Sequence, residues 1–105
     1  MMSVSLPGVA GNLFVITGAA RGQGEEEALL LASQGAHVIA LDVGSTFPEW
    51  VDAASALPGS VTYQQLDVTD ERAWESLARS LAGRTVKGLV NNAGITHRVR
   101  IGAVA

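Results

Sequence analysis

The apolar run Leu13-Phe14-Val15-Ile16 passes directly into Thr17-Gly18-Ala19-Ala20-Arg21-Gly22-Gln23-Gly24, which places three glycines within seven residues. Four consecutive apolar residues do not alternate, so both faces of the segment need covering, as in a strand of a parallel sheet. Where that strand ends, the glycines supply backbone conformations that other residues avoid. From residue 22 to residue 34 the pattern becomes helical. Ala28, Leu31, Ala32 and Gly35 recur at three- and four-residue spacing, and Glu25-Glu26-Glu27 fall in the first turns, where the helix dipole favours negative charge.

The rest of the chain repeats the alternation. Residues 12–17 and 36–42 are predicted strands, with Gly35 ending the helix between them. A short helix is expected over residues 48–57, with Trp50, Val51 and Ala54 as its apolar stripe, followed by a Pro58-Gly59 turn and a strand over 61–66. Thr69 is expected to cap a helix that carries Ala73, Leu77 and Leu81 and stops at Gly83. Residues 86–90 form a fourth strand, ending in Asn91-Asn92-Ala93-Gly94. The order β-α-β-α-β-α-β with short connections predicts an α/β fold: a doubly wound parallel sheet, here the first four strands of a larger one.

At 105 residues the chain suits one small domain, and 48% hydrophobic with 16% charged residues is a globular balance. A formal net charge of −3, with Lys87 the sole lysine, gives no electrostatic footprint for nucleic acid or an anionic membrane. The absence of cysteine removes thiolate catalysis and thiolate metal ligands, and His37 and His97 have no metal-ligand spacing. Residues 1–8 lack the basic start and apolar stretch of a signal peptide, and no apolar run reaches the roughly 18 residues of a membrane span, so a cytoplasmic protein is expected.

A strand that turns directly into a helix presents unpaired backbone N–H groups and the positive dipole end, a setting for phosphate. Gly18 would make the turn, Gly22 would face a pyrophosphate, and Gly24 would let the helix pack closely. A glycine-rich turn alone is common and mostly binds nothing, but Asp42 closes the second strand 18 residues after Gly24. An acid at that separation suits the hydroxyls of an adenosine ribose and repels a 2′-phosphate. The phosphate loop of the G-x-x-x-x-G-K-[ST] type is excluded, because Gln23 stands five positions after Gly18 and no lysine follows. A methyltransferase binding S-adenosylmethionine shares the glycine loop and the later acids, but commonly has an acid just before the glycines, where this chain has Val15-Ile16-Thr17.

Four stretches together resemble the short-chain dehydrogenases/reductases: the T-G-x-x-x-G-x-G loop at residues 17–24, Asp42, the pair Asp67-Val68, and Asn91-Asn92-Ala93-Gly94. The resemblance implies a Rossmann-type fold and an NAD(P)-dependent oxidoreductase acting on an alcohol or ketone. It implies cofactor contacts from Gly18, Ala20, Arg21, Gly22, Gln23 and Gly24, from Asp42 and Val43, and from Asp67 through its side chain to the adenine amino group. Val68 would add a backbone contact, and Asn91, Ala93 and Gly94 would line the riboses. Gln23 departs from the family's usual isoleucine, and Glu25-Glu26-Glu27, read as a solvated face, is unusually acidic beside a phosphate site. Arg21 would suit a 2′-phosphate, but Asp42 is followed by Val43 rather than arginine, so NAD is favoured over NADP.

The family's catalytic tyrosine and lysine stand as Y-x-x-x-K on one helix face. The one tyrosine here, Tyr63, is followed four residues on by Asp67, and the sole lysine, Lys87, lies 24 residues from it, so no catalytic residue is assigned. Ser3, Ser33 and Ser60 have no partners that would make them nucleophiles. The resemblance covers about two-fifths of a protein of roughly 250 residues, and it puts the catalytic groups, the substrate pocket and the contacts of a homo-oligomer after Ala105. On that expectation the 105-residue chain alone is inactive. The other open reading is a stand-alone nucleotide-binding or interaction module without redox chemistry.

Overall fold

A computed structural model describes residues 8–92. Its elements run β1 (Leu13–Thr17), α1 (Gly22–Ser33), β2 (His37–Asp42), α2 (Glu49–Ala53) with a 3-10 turn (Ala54–Ala56), β3 (Ser60–Gln65), α3 (Glu71–Ser80) and β4 (Val86–Asn91). The four strands are parallel in the order β3-β2-β1-β4. The chain therefore builds outward from β1 through β2 to β3, then returns to the other side of β1 as β4. That reversal is the switch point of a doubly wound sheet, where a crevice opens beyond the carboxyl ends of the strands. The architecture is the expected α/β, Rossmann-like one.

The alternation of side chains along β1 and β2 divides the core into two layers. Leu13 and Val15 of β1 and Ile39 and Leu41 of β2 face Trp74, Leu77 and Leu81 from α3 and its end. Ile16 of β1 and Val38 and Ala40 of β2 face the opposite way, against Ala28 of α1, with Leu31 and Trp50 packed on the same cluster. Continuous apolar strands thus reflect coverage on both faces. The layers differ in grain: α1 meets the sheet through Gly24, Ala28 and Ala32, whereas α3 inserts Trp74 and Leu77. Small residues bring α1 close to β1, and that closeness forms the site.

One local expectation is corrected. Asp70, not Thr69, caps α3, with its Oδ1 accepting from the amides of Arg72 at 3.0 Å and Ala73 at 3.2 Å. Thr69 is committed one step earlier, donating its amide and hydroxyl to Asp67 Oδ1 at 2.9 and 2.7 Å, a local Asx turn that leaves the next residue to cap. Lys87 lies within β4. Among the described residues no helix is long and apolar enough to cross a membrane.

Candidate functional site

β1 ends at Thr17, whose side chain is buried. Its hydroxyl donates to Asn91 Oδ1 at 2.7 Å and accepts from the Asn92 amide at 3.1 Å, with the Val90 carbonyl at 3.5 Å. One hydroxyl thereby ties the end of β1 to the end of β4 and fixes the floor of the crevice. Beyond it the chain turns at Gly18 (φ +61°) and again at Gly22 (φ +64°), the left-handed region that glycine enters without penalty. A side chain on Gly22 would meet no atom within 4 Å, so this backbone faces open space. Gly24 is the opposite case. A β-carbon there would overlap the Gly18 carbonyl and come within 2.8 Å of Ala19 Cα, so only glycine lets α1 start this close to the loop.

The first turn of α1 carries no side-chain cap: Arg21 occupies the N-cap position with extended backbone and makes no capping bond. The amides that Asp70 satisfies in α3 are in α1 left to the crevice. Gly18, Arg21, Gly22, Gln23, Gly24, Asp42 and Asn92 line a cleft of about 470 Å³. Six of these seven are residues expected from the sequence, drawn together from β1, α1 and β2. The cleft fits a pyrophosphate-bearing dinucleotide by its donors, the glycine backbone and an uncapped helix start, and by an acceptor, the carboxylate on the far side.

Asp42 ends β2 and is half-buried. Its Oδ2 accepts from the Ala20 amide at 2.8 Å and its Oδ1 from the Val43 amide at 2.7 Å. Each carboxylate oxygen has two lone pairs, so both keep one for a further donor such as a ribose hydroxyl. Val43 is 62% exposed beside it. Ala20 is half-buried within the loop and outside the cleft lining, with its carbonyl accepting from Trp50 Nε1 at 2.9 Å.

The acidic run does not all face solvent. Glu26 is exposed, but Glu27 is half-buried and accepts from Asn92 Nδ2 at 2.5 Å, which fixes the Asn92 carboxamide at the cleft wall. Asp67 is exposed and outside the cleft lining; the Thr69 hydroxyl, and secondarily the Thr69 amide, hold its carboxyl below the usual carboxylate value. Val68 is buried, and its carbonyl accepts from Trp74 Nε1 at 2.9 Å. Asn91 pairs with Thr17 and does not line the cleft. Ala93 and Gly94 lie outside the described residues.

Tyr63 donates to the Gly44 carbonyl at 2.6 Å and stacks edge-on against Phe47, with ring centroids 5.9 Å apart. Burial, and then the charge of Asp42, raise its phenol above the ordinary 10.0. It supports the loop after β2 and has no lysine partner. His37 pairs with the Ser60 hydroxyl at 2.9 Å, and among the described residues no group of His, Asp and Glu could hold a metal ion.

Asn92, Glu27 and Trp50 were not legible as site residues. For Trp50 a signal existed: an indole on an apolar stripe buries its ring but must still find an acceptor for its N–H. Nothing in the sequence could say that the acceptor is the glycine loop, 30 residues away.

A sequence model of the short chain dehydrogenase family matches residues 12–104. The chain is 39% identical over 90 residues to a 3-oxoacyl-acyl-carrier-protein reductase of Thermotoga maritima, covering 83% of this chain and 37% of that protein. It is 37% identical over 102 residues to a 2-keto-3-deoxy-L-fuconate dehydrogenase of Xanthomonas campestris, covering 92% of this chain and 32% of the relative. Among solved structures, a metagenomic short-chain oxidoreductase in complex with NADP superposes with a TM-score of 0.74 at 30% identity, over 83% of this chain and 41% of that one. A hydroxysteroid dehydrogenase from Escherichia coli superposes at 0.72 with 35% identity, over 83% and 38%. The chain thus spans about a third of the length of the curated relatives it matches.

Proposed function

The chain belongs to the short chain dehydrogenase family, and on that premise we propose that it forms the NAD-binding part of an oxidoreductase interconverting an alcohol and a ketone. The single observation that carries this reading is the uncapped start of α1 opening onto the cleft, with Asp42 in the opposite wall. Gly18, Arg21, Gly22, Gln23 and Gly24 would hold the pyrophosphate through backbone donors, and Asp42 would receive the ribose hydroxyls. NAD supplies hydride transfer when bound. This chain's residues bind and orient it and keep the loop in shape.

NAD is favoured over NADP because a fixed carboxylate stands where a 2′-phosphate would bring more negative charge. The NADP held by one structural relative keeps the second cofactor in the test. The relatives' names pair hydroxy and keto compounds of differing shape, which supports alcohol–ketone chemistry without pointing to one substrate. Adenine contacts from Asp67 and Val68, and ribose contacts from Asn91, Ala93 and Gly94, belong to the same proposal. Titration of the chain with NADH in a calorimeter, with NADPH as comparator, tests it. Saturable NADH binding, at least tenfold tighter than NADPH, is expected; a folded chain that binds neither would sink the reading.

A further inference from the structure

The Ala20 residue is gripped at both its polar atoms by groups from later elements. Its amide donates to Asp42 at the end of β2, and its carbonyl accepts from the indole of Trp50 in α2. The preceding amide, Ala19 N, is anchored as well, on the Leu41 carbonyl at 3.0 Å. The next residue is Arg21, the N-cap of α1 and part of the cleft lining. The stretch ahead of the phosphate-facing amides is therefore fixed by β2 and α2, before the helix itself begins.

We infer that Trp50 is a positioning residue for the phosphate-binding loop: its indole N–H, acting with Asp42, fixes the Ala20 peptide groups so that the Arg21, Gly22 and Gln23 amides face the cleft before an anion arrives. The inference rests on the dinucleotide reading above and deepens it. The Ala20 carbonyl and the Arg21 N–H belong to one trans peptide plane, and in such a plane they point in opposite directions. Anchoring the carbonyl on Trp50 therefore aims the Arg21 N–H away from α2. Asp42 sets the plane before it in the same way, through the Ala20 N–H. Donors held in place lose less freedom when an anion binds, and binding gains accordingly.

The apolar duty of residue 50, packing beside Ile16, Val38 and Ala40, could be met by phenylalanine or leucine. What tryptophan alone adds is the N–H. This gives a variant that separates the two roles, Trp50→Phe, which keeps an aromatic ring against the cluster and removes the donor.

The test measures inorganic pyrophosphate and NADH binding to the unsubstituted chain and to Trp50→Phe, with backbone amide exchange read by NMR. Both ligands should bind the variant about three- to tenfold more weakly, the worth of one neutral hydrogen bond. Exchange at the hydrogen-bonded amides of Ala19 and Ala20 should quicken while Val15 and Leu41 keep their protection, a pattern that a loss of core packing would not give. Equal affinity and unchanged loop exchange in the variant overturn the inference alone. A folded, unsubstituted chain that binds neither ligand overturns the dinucleotide reading and the inference with it. Independently of the variant's folding, the Trp50 indole proton of the unsubstituted chain should exchange slowly with solvent and shift on adding pyrophosphate; free exchange and no shift overturn the inference.

Discussion

Asn92 and Glu27 are joined across 65 residues of sequence, the Asn92 carboxamide donating to the Glu27 carboxylate at 2.5 Å. The bond runs from the end of β4 to α1 and closes the side of the cleft opposite Asp42. It gives one glutamate of an acidic run a structural partner at a site otherwise prepared for anions. A carboxylate engaged by an amide donor projects less charge into the cleft than a free one, which eases the conflict between the acidic helix start and the proposed phosphate binding.

Glu27→Ala should lower stability by about 1 kcal/mol, the charge-assisted bond being discounted for its partial exposure. Glu26→Ala, at an exposed position of the same helix, should stay within about 0.5 kcal/mol. Urea denaturation of the two variants checks the difference. Equal losses would mean that the Asn92 contact contributes nothing.

Thr17→Val removes a buried hydroxyl that serves Asn91 and Asn92 together, and should cost about 1–3 kcal/mol. Thr17→Ser keeps the hydroxyl and should lose less, about 1 kcal/mol for the missing methyl. If valine is tolerated as well as serine in chemical denaturation, the hydroxyl does not bind β1 to β4 as described.

Gly24→Ala puts a methyl into the Gly18 carbonyl and Ala19 Cα, both backbone atoms that cannot swing aside. A loss of about 1–3 kcal/mol is expected from the forced shift. Gly22→Ala meets open space but must hold φ near +64°, at a cost of about 1–2 kcal/mol. The sharper contrast is in binding, since Gly22 lines the cleft and its strained replacement alters the backbone there. NADH affinity per unit of folded protein should fall more for Gly22→Ala than stability does, as calorimetry on the folded fraction would show.

Asp67 titrates below its ordinary 3.8 because Thr69 donates to its charged form, first from the hydroxyl and then from the amide. A depressed carboxylate contributes stability that is present above 3.8 and is lost as pH falls through the lowered value. Thr69→Ala should raise the Asp67 value only part of the way back, because the backbone donor remains. Carbon-detected NMR titration of the side chain decides it; a midpoint unmoved by the substitution would remove the hydroxyl from the account.

Much of the fold was legible because its signals are local. Continuous apolar runs specify strands buried on two faces, Gly18, Gly22 and Gly24 specify where β1 must turn into α1, and those elements fall within a residue or so of their expected bounds. The exchange of roles between Thr69 and Asp70 shows the limit even locally. Two adjacent residues that can both cap a helix are distinguished only by which one the preceding turn, at Asp67, has already engaged.

The glycine loop, the acid that follows β2 and the order of elements were readable along the chain, since each depends on residues near one another in it. It took the folded arrangement to set that Asn92 rather than Asn91 lines the cleft, that Glu27 turns inward to meet it, and that Trp50 reaches the Ala20 carbonyl. These contacts join residues 30 and 65 positions apart, and their distances are set by how the parallel strands register and how closely α1 approaches the sheet. No local pattern encodes such a distance. It emerges when the small residues of α1 and the alternating side chains of β1 and β2 pack into one core.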